Sequence, residues 1–531
     1  MMPAMPEIGG PVSLTARRLT EAARGSQAVR LHPEALERIR ASHGVLVRLA
    51  SSGARIYGVT TGLGAVVDTK LDAADADVQR RVVMARAVGV GTIATDEQVR
   101  AIMLARLAGF AVGTSGVSVA VVEAYLALLN AGIHPQVPLT GSLGEADLLP
   151  LAHIASVLLG GGRARLGGEI LSGADALARA GLAPPKLGLK DGLALVSSNA
   201  ASIGLGALVV ADAERTLAAI VAGASLSFEG QRANLSPLRA DVVALHPVPG
   251  QAEIAGEMLG LLQGGALDQP DVARLLHDPL SFRCAPSVLG CALDAIRSAT
   301  RAVELALAMS DDNPAVLVDP DRVVGTASFD TTHLTLAFET LGLALSRAAA
   351  LTGARIMQSM SSGNSGLPRF LTPRPNGRSG LAPLQKTVAS LVAGIGHDAM
   401  PMAAWVMPVA DGLEDYATMA VPVVQKTGTI VERLQLLAAA ELMTAAQAID
   451  LQPDLVLGDG STFHRTLVRA LTAFLDEDRS LAGDLDALHD AIRTDAFDGV
   501  RTRLFVPAPT SPLTAQPAVT LRTLSGNRGC T

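Results

Sequence analysis

The stretch PSVLGCALDAIRSATRAVELALAMSDDNP (286–314) decides the fold. Within it Leu289, Leu293, Ile296, Val303 and Leu307 recur at four- and three-residue spacings, which is one face of an α-helix, and SDDNP (310–314) stops the pattern. A helix this long must bury its apolar stripe against other helices, so it implies a bundle. The same kind of pattern predicts further long helices over about 198–224, 333–354, 386–410 and 425–449.

The rest of the composition agrees. Ala and Leu dominate, aromatic residues are 3%, and alternating Val/Ile/Thr/Tyr runs are missing, so propensity and period both predict an all-α (mainly α) chain. No repeat of 20 to 50 residues interrupts it. An Ala-rich bundle with several such helices favours oligomers. Three regions are expected: an N-terminal active-site loop domain over 1–200, a central long-helix bundle over 201–480, and a C-terminal helical segment and tail over 481–531. Gly and Pro clusters punctuate the helices at 58–64, 132–150, 182–192, 310–316, 361–383 and 505–517.

At 531 residues, 49% hydrophobic and 18% charged, the chain can bury a large core. Its net charge of -7 mixes both signs without a Lys/Arg block, which argues against nucleic acid or an anionic membrane as partner and leaves a small molecule. Cys284, Cys291 and Cys530 are too few and too oddly spaced for a disulfide framework or a zinc site, and suggest a reducing compartment. The opening MMPAMPEIGGPVSL has no basic region before an apolar run, and no uncharged stretch is expected to span a bilayer, so a cytoplasmic location is expected. No HExxH, GxGxxG or Walker pattern is present; neither a metal nor a cofactor is expected.

Chemistry belongs in the loops, where polar groups sit on irregular backbone between rigid helices. In RIYGVTTGLG (55–64) three glycines let the chain turn tightly or approach a ligand, with the ionisable Tyr57 at the entrance. Taken alone, it is also what any Gly-rich loop with a half-buried tyrosine looks like. In GSLGEADLLPLAH (141–153) Glu145 and Asp147 lie two residues apart in an apolar setting that can shift their pKa, although acids at a helix start would look the same. His153 closes that apolar stretch and reads as a structural histidine.

Together the two loops are informative. YGVTTGLG resembles the Tyr-Gly-x-Asn/Thr-Thr-Gly-Phe-Gly loop of the histidine and phenylalanine ammonia-lyase superfamily, and GSLGEADLLPLAH resembles its Gly-Ser-x-Gly-Ala-Ser-Gly-Asp-Leu-x-Pro-Leu-Ala-His signature. Further matches follow in order: DGLALVSSNA (191–200), HDPLSFRCAPSVLG (277–290), SDDNP (310–314), SGLPRFL (365–371), LAPLQKT (381–387) and GLEDYATM (412–419). The resemblance runs from about 13 to about 500. It implies an elongated helical bundle of the ammonia-lyase/fumarase-like type, a homotetramer with active sites assembled from loops of several subunits, and elimination of an amine from an amino acid.

The departures are as informative. The superfamily's electrophile, a methylidene-imidazolone, forms by cyclisation of an Ala-Ser-Gly triplet; here Glu145-Ala146 precedes Asp147, one residue short and without the serine, so that group is not expected. An unactivated β-proton is weakly acidic and ammonia leaves poorly, so the substrate itself must supply the activation. A trimethylammonium group does so, since it leaves as a neutral amine without an adduct. Resemblance gives Arg283 to the substrate carboxylate. His277 and Leu280 stand where relatives have Gln and Tyr, Ser197-Ser198-Asn199-Ala200 replaces Asn-Gly-Thr-Gln, and Ser328-Phe329-Asp330 replaces Asn-Phe-His/Gln. Ser197, Asn199, His277 and Ser328 are therefore candidate substrate contacts in rebuilt amine and ring pockets.

Gln385-Lys386 places a lysine where relatives are uncharged, and Glu414 matches a retained glutamate; the two could pair around the substrate ring, or simply tie two helices together. The pattern is similar to an ergothionase-like subgroup, which eliminates trimethylamine from ergothioneine, the betaine of 2-thiohistidine, to give thiolurocanate. That resemblance implies Tyr57 as base, Lys386 and Glu414 as activators of the thioimidazole, Gln385 beside them, and Glu145 as the carboxylate facing the leaving cation. With one Trp and three Tyr, composition argues against an aromatic cage for that cation. Two alternatives stay open: a histidine or aromatic amino acid ammonia-lyase or aminomutase working by another activation, and a catalytically inactive relative.

Overall fold

The computed structural model describes residues 5–11, 14–71, 76–269, 271–374, 377–402 and 406–506. Cys530, most of the 505–517 cluster and the tail of the 481–531 segment lie outside them.

The helices that position the site are α1 (Ala76–Met84), α2 (Asp96–Val112), α3 (Leu148–Leu158), α4 (Ala200–Gln231), α5 (Ala285–Ala308), α6 (Thr332–Ser359), α7 (Leu384–Asp398) and α8 (Ala420–Asp450). Strands among the described residues are two to four residues long and form only two- and three-stranded pairings. The chain is thus mainly α, as its composition predicts. Helix α4 is the axis: it packs along α8, α2 and α5, while α6 joins α5 to α8 and α7 lies on α8.

Helix α4 can occupy that axis because its side chains are small. Gly204 approaches α2 so closely that an added Cβ would lie 2.6 Å from the Ala101 carbonyl carbon. Nearly every residue of α4 outside 209–215 is buried, so it has no polar face. The predicted stripe on α5 is real: Leu289, Leu293, Ile296, Val303 and Leu307 are all buried. One continuous apolar core runs from Ile8 to Leu504.

Two expectations need correction. The helix predicted over 386–410 ends at Asp398, because Pro401 keeps the preceding backbone out of the helical region. And two helical spans, Asp191–Gln231 and Thr332–Ser359, are long and apolar enough to cross a membrane by length and composition alone. The most apolar window of the first is 94% buried inside the fold and that of the second 50%. The first is apolar because α8, α2 and α5 enclose it, and the second because one side packs on α8 and α5.

At the centre of the bundle Arg355 of α6 forms a fully buried pair with Glu441 of α8, Nε to Oε1 at 2.6 Å and Nη2 to Oε2 at 3.0 Å. Ser227 of α4 donates to the same carboxylate at 3.0 Å, and Arg355 Nη1 donates to the Ser281 carbonyl at 3.2 Å. With both charges satisfied, the pair fixes how three helices meet.

Candidate active site

A cavity of about 490 Å³ opens where the loops at 57–64, 141–149 and 409–416 converge over the start of α4. Tyr57, Glu145, Ser197 and Glu414 line it, together with Arg86, Asn313, Phe329, Asp415 and Tyr416.

The first loop is rigid. Gly64 N–H donates to the Tyr57 hydroxyl oxygen at 2.9 Å, curling the loop back onto its own tyrosine. Gly62 must be glycine, since a Cβ there would sit 2.1 Å from the Val66 carbonyl oxygen. Gln79 of α1 donates to the Gly58 carbonyl (3.1 Å) and accepts from Leu193 N–H (3.1 Å), tying the loop to the backbone behind it.

The second loop carries Glu145 on a strained turn. Gly144 (φ 85°) presses against α8, where a Cβ would meet Ala420 N at 2.4 Å, and Ala146 (φ 58°) adopts the left-handed conformation usual for glycine. Asp147 anchors the turn. Fully buried, it accepts from Ser142 Oγ (2.7 Å) and from Ser202 N–H and Oγ (2.7 and 2.9 Å), so it caps the first turn of α4 while its backbone caps α3. Burial raises its pKa, and those hydrogen bonds oppose the rise.

Glu145 itself is half-buried, and its Oε1 is fully buried with no hydrogen-bond partner. Burial, then Asp330 and Asp147, push its carboxyl up to about 7, against the pull of the Thr418 backbone N–H. A methylidene-imidazolone does not fit here: the Glu145-Ala146-Asp147 stretch has no serine, and Ala146 N–H, inside the segment that would cyclise, is committed to Asn199 Oδ1 at 3.0 Å.

Asn199 stands behind the cavity wall rather than in it. Besides receiving Ala146 N–H, it donates from Nδ2 to the Phe329 carbonyl at 3.0 Å, joining two walls. Its own N–H donates to Asp311 Oδ2 at 2.6 Å, which Ser198 Oγ also reaches at 2.6 Å. Arg106 lies beneath, 3.6 Å from Asp311 and 3.4 Å from Asp312. Nearby, Lys190 donates to the Ser115 carbonyl at 2.8 Å and is pushed down to about 8 by burial. This buried charged layer supports the floor of the site.

Five further predicted site residues are elsewhere. Arg283, His277 and Lys386 are exposed, Gln385 is partly so, and none of them lines the cavity. Arg283 Nε donates to the Asp278 carbonyl at 2.8 Å. Lys386 makes no ion pair with Glu414 among the described residues: it is held on the first turn of α7, while Glu414 stands in the loop that precedes α8. Ser328 is exposed too, and its neighbour Phe329 lines the wall instead. His153 accepts from Gly89 N–H at 3.1 Å through Nε2, and burial lowers its pKa, so it is a satisfied structural histidine.

Arg86 went unanticipated, because nothing in MARAVGVG (84–91) marks it. It lies just past α1, half-buried, with Nη1 donating to the Val82 carbonyl at 3.0 Å. Burial lowers its pKa, while Tyr57 and Glu414 across the cavity oppose that effect.

Residues 14–473 match the family described as aromatic amino acid lyase. The chain belongs to that family. Like other aromatic amino acid lyases, it is a carbon–nitrogen lyase. It is 36% identical over 478 residues to a histidine ammonia-lyase of Gloeobacter violaceus, covering 89% of this chain and 93% of the relative. A histidine ammonia-lyase of Treponema denticola is 34% identical over 489 residues, 91% of this chain and 96% of that protein. Among solved structures, ergothionase from Treponema denticola in complex with desmethyl-ergothioneine sulfonic acid superposes with a TM-score of 0.88 at 31% identity, covering 93% of this lyase and 99% of that chain. Pantoea agglomerans phenylalanine aminomutase superposes equally well, with a TM-score of 0.88 at 29% identity over 92% and 98%.

Proposed function

We propose that this lyase eliminates a tertiary amine from a histidine-derived betaine, with ergothioneine giving thiolurocanate and trimethylamine, and that it does so without a methylidene-imidazolone. One observation carries the reading: where relatives make an electrophile for the leaving amine, the Glu145 carboxylate lines this cavity, and its buried Oε1 has no hydrogen-bond partner. A carboxylate there cannot form an adduct with an amine. It can hold a cation.

In this scheme Tyr57, acting as the phenolate, takes the β-proton and becomes the phenol, the Cα–Cβ double bond forms, and the electron pair of the breaking Cα–N bond leaves with nitrogen as neutral trimethylamine. Glu414 acts on the thioimidazole from the same chain. Arg283, His277, Gln385 and Lys386 lie outside the cavity of their own chain, so they contribute from other copies in a homotetramer, Arg283 to the carboxylate and Lys386 to the ring. The identity to histidine ammonia-lyases favours a second reading, deamination of histidine by another activation. Incubating the purified protein separately with ergothioneine and histidine, with ultraviolet absorbance and released amine recorded, distinguishes the two. Thiolurocanate from the betaine supports the proposal; urocanate from histidine with no turnover of the betaine refutes it.

A further inference from the structure

Three loop segments meet around one backbone carbonyl. The Gly144 oxygen accepts from the Thr331 and Thr418 hydroxyls at 2.6 and 3.1 Å, and those hydroxyls lie 2.5 Å apart. Met419 N–H donates to the Leu143 carbonyl at 2.7 Å, and Asn199 bridges Ala146 to Phe329 as described. The Tyr416 hydroxyl lies 2.8 Å from Thr332 Oγ1. These bonds bring the residues next to the shared knot, Glu145, Phe329 and Tyr416, to the wall of one cavity. Tyr416 is 55% exposed although its hydroxyl is tethered, so its ring is held in place but left uncovered.

Counting aromatic residues over the whole chain misses this placement. Of three tyrosines, Tyr125 is in the core at 1% exposure, while Tyr57 and Tyr416 both line the cavity with Phe329. An aromatic face attracts a cation through its quadrupole, and a quaternary ammonium, which cannot donate a hydrogen bond, is recognised in this way and by carboxylates. The Glu145 carboxylate, which lines the same cavity, supplies the negative charge. We propose that Phe329 and Tyr416, together with Glu145, form a subsite for a quaternary ammonium group. The inference rests on the betaine reading above and assigns the groups that select the leaving amine.

The probes are tetramethylammonium chloride and ammonium chloride, titrated into the full-length wild type and the variants Tyr416→Phe, Tyr416→Leu and Phe329→Leu, with the KM for ergothioneine measured alongside. The wild type should bind tetramethylammonium roughly tenfold more tightly than ammonium. Tyr416→Phe keeps the aromatic face and should retain that preference. Each leucine variant keeps apolar volume but loses the π-face, and should weaken tetramethylammonium binding about three- to tenfold. Equal binding of the two cations by the wild type, or unchanged binding in Tyr416→Leu, overturns the subsite; Tyr416 is exposed, so that variant decides the matter even if Phe329→Leu fails to fold. Selective tetramethylammonium binding without trimethylamine release from ergothioneine would sink the substrate reading and leave the subsite standing. Trimethylamine release with KM unchanged in both leucine variants would do the reverse.

Discussion

Glu145 is held against its own preference. Its carboxyl, pushed up to about 7, is more easily protonated in the folded chain than the ordinary value of 4.5. A group raised in this way stabilises the fold below its unfolded pKa, and that contribution is lost as pH rises from about 4.5 through 7. Glu145→Gln should therefore raise the thermal midpoint at pH 8, by the equivalent of about 1–2 kcal/mol after solvent screening, and leave it nearly unchanged near pH 4.5. On the proposed reading the same ionisation serves binding. For the wild type, KM for a cationic betaine should rise as pH falls below 7, whereas Glu145→Gln should show a high KM with little pH dependence. A wild-type KM that is flat from pH 6 to 8 would contradict the role given to this carboxylate. Much at this scale is legible in contiguous sequence: Tyr57, Glu145 and Glu414 each sit in a recognisable loop, and each lines the cavity. Arg86 is not legible, because folding brings it there from a stretch with no spacing signal of its own, whereas Asn313 lies in the matched SDDNP motif, where its type alone gave it no role.

Among the helices, periodicity identifies α5 and its buried face, and places one end of each of α4, α6 and α8 to within two residues while falling five to seven residues short at the other. It overshoots at α7, where the run to 410 crosses Pro401. Pairing between helices leaves no such trace: Arg355 and Glu441 are 86 residues apart and fully buried together. Arg355→Met removes one charge and leaves Glu441 buried with only a serine donor. We expect a loss of about 3–5 kcal/mol, seen as a lower thermal midpoint. Adding Glu441→Leu to that variant should recover most of the loss; a double variant as unstable as the single one would show that the pair does more than neutralise charge.

For the whole molecule, the proposed site residues fall in two places on one chain. Tyr57, Glu145 and Glu414 line a cavity that lacks Arg283 and Lys386, and those two stand elsewhere on the same chain. Residue motifs report which side chains take part but not which copy supplies them, since symmetry is not written into a single sequence. If copies complete one another, Tyr57→Phe and Lys386→Met should each be nearly inactive alone. Unfolded, mixed and refolded together, they should regain a measurable fraction of wild-type activity, because some cavities then draw Tyr57 and Lys386 from different chains. Mixtures no more active than the separate variants would place both residues in one chain's site.

We propose that a leaving amine that is already charged replaces the lost electrophile. It is tested most directly by comparing 2-thiohistidine with its trimethyl betaine, which keeps ring and sulfur constant and changes only the amine. Trimethylamine and thiolurocanate are expected from the betaine, and no ammonia from 2-thiohistidine. Ammonia released from 2-thiohistidine at a comparable rate would contradict the proposal.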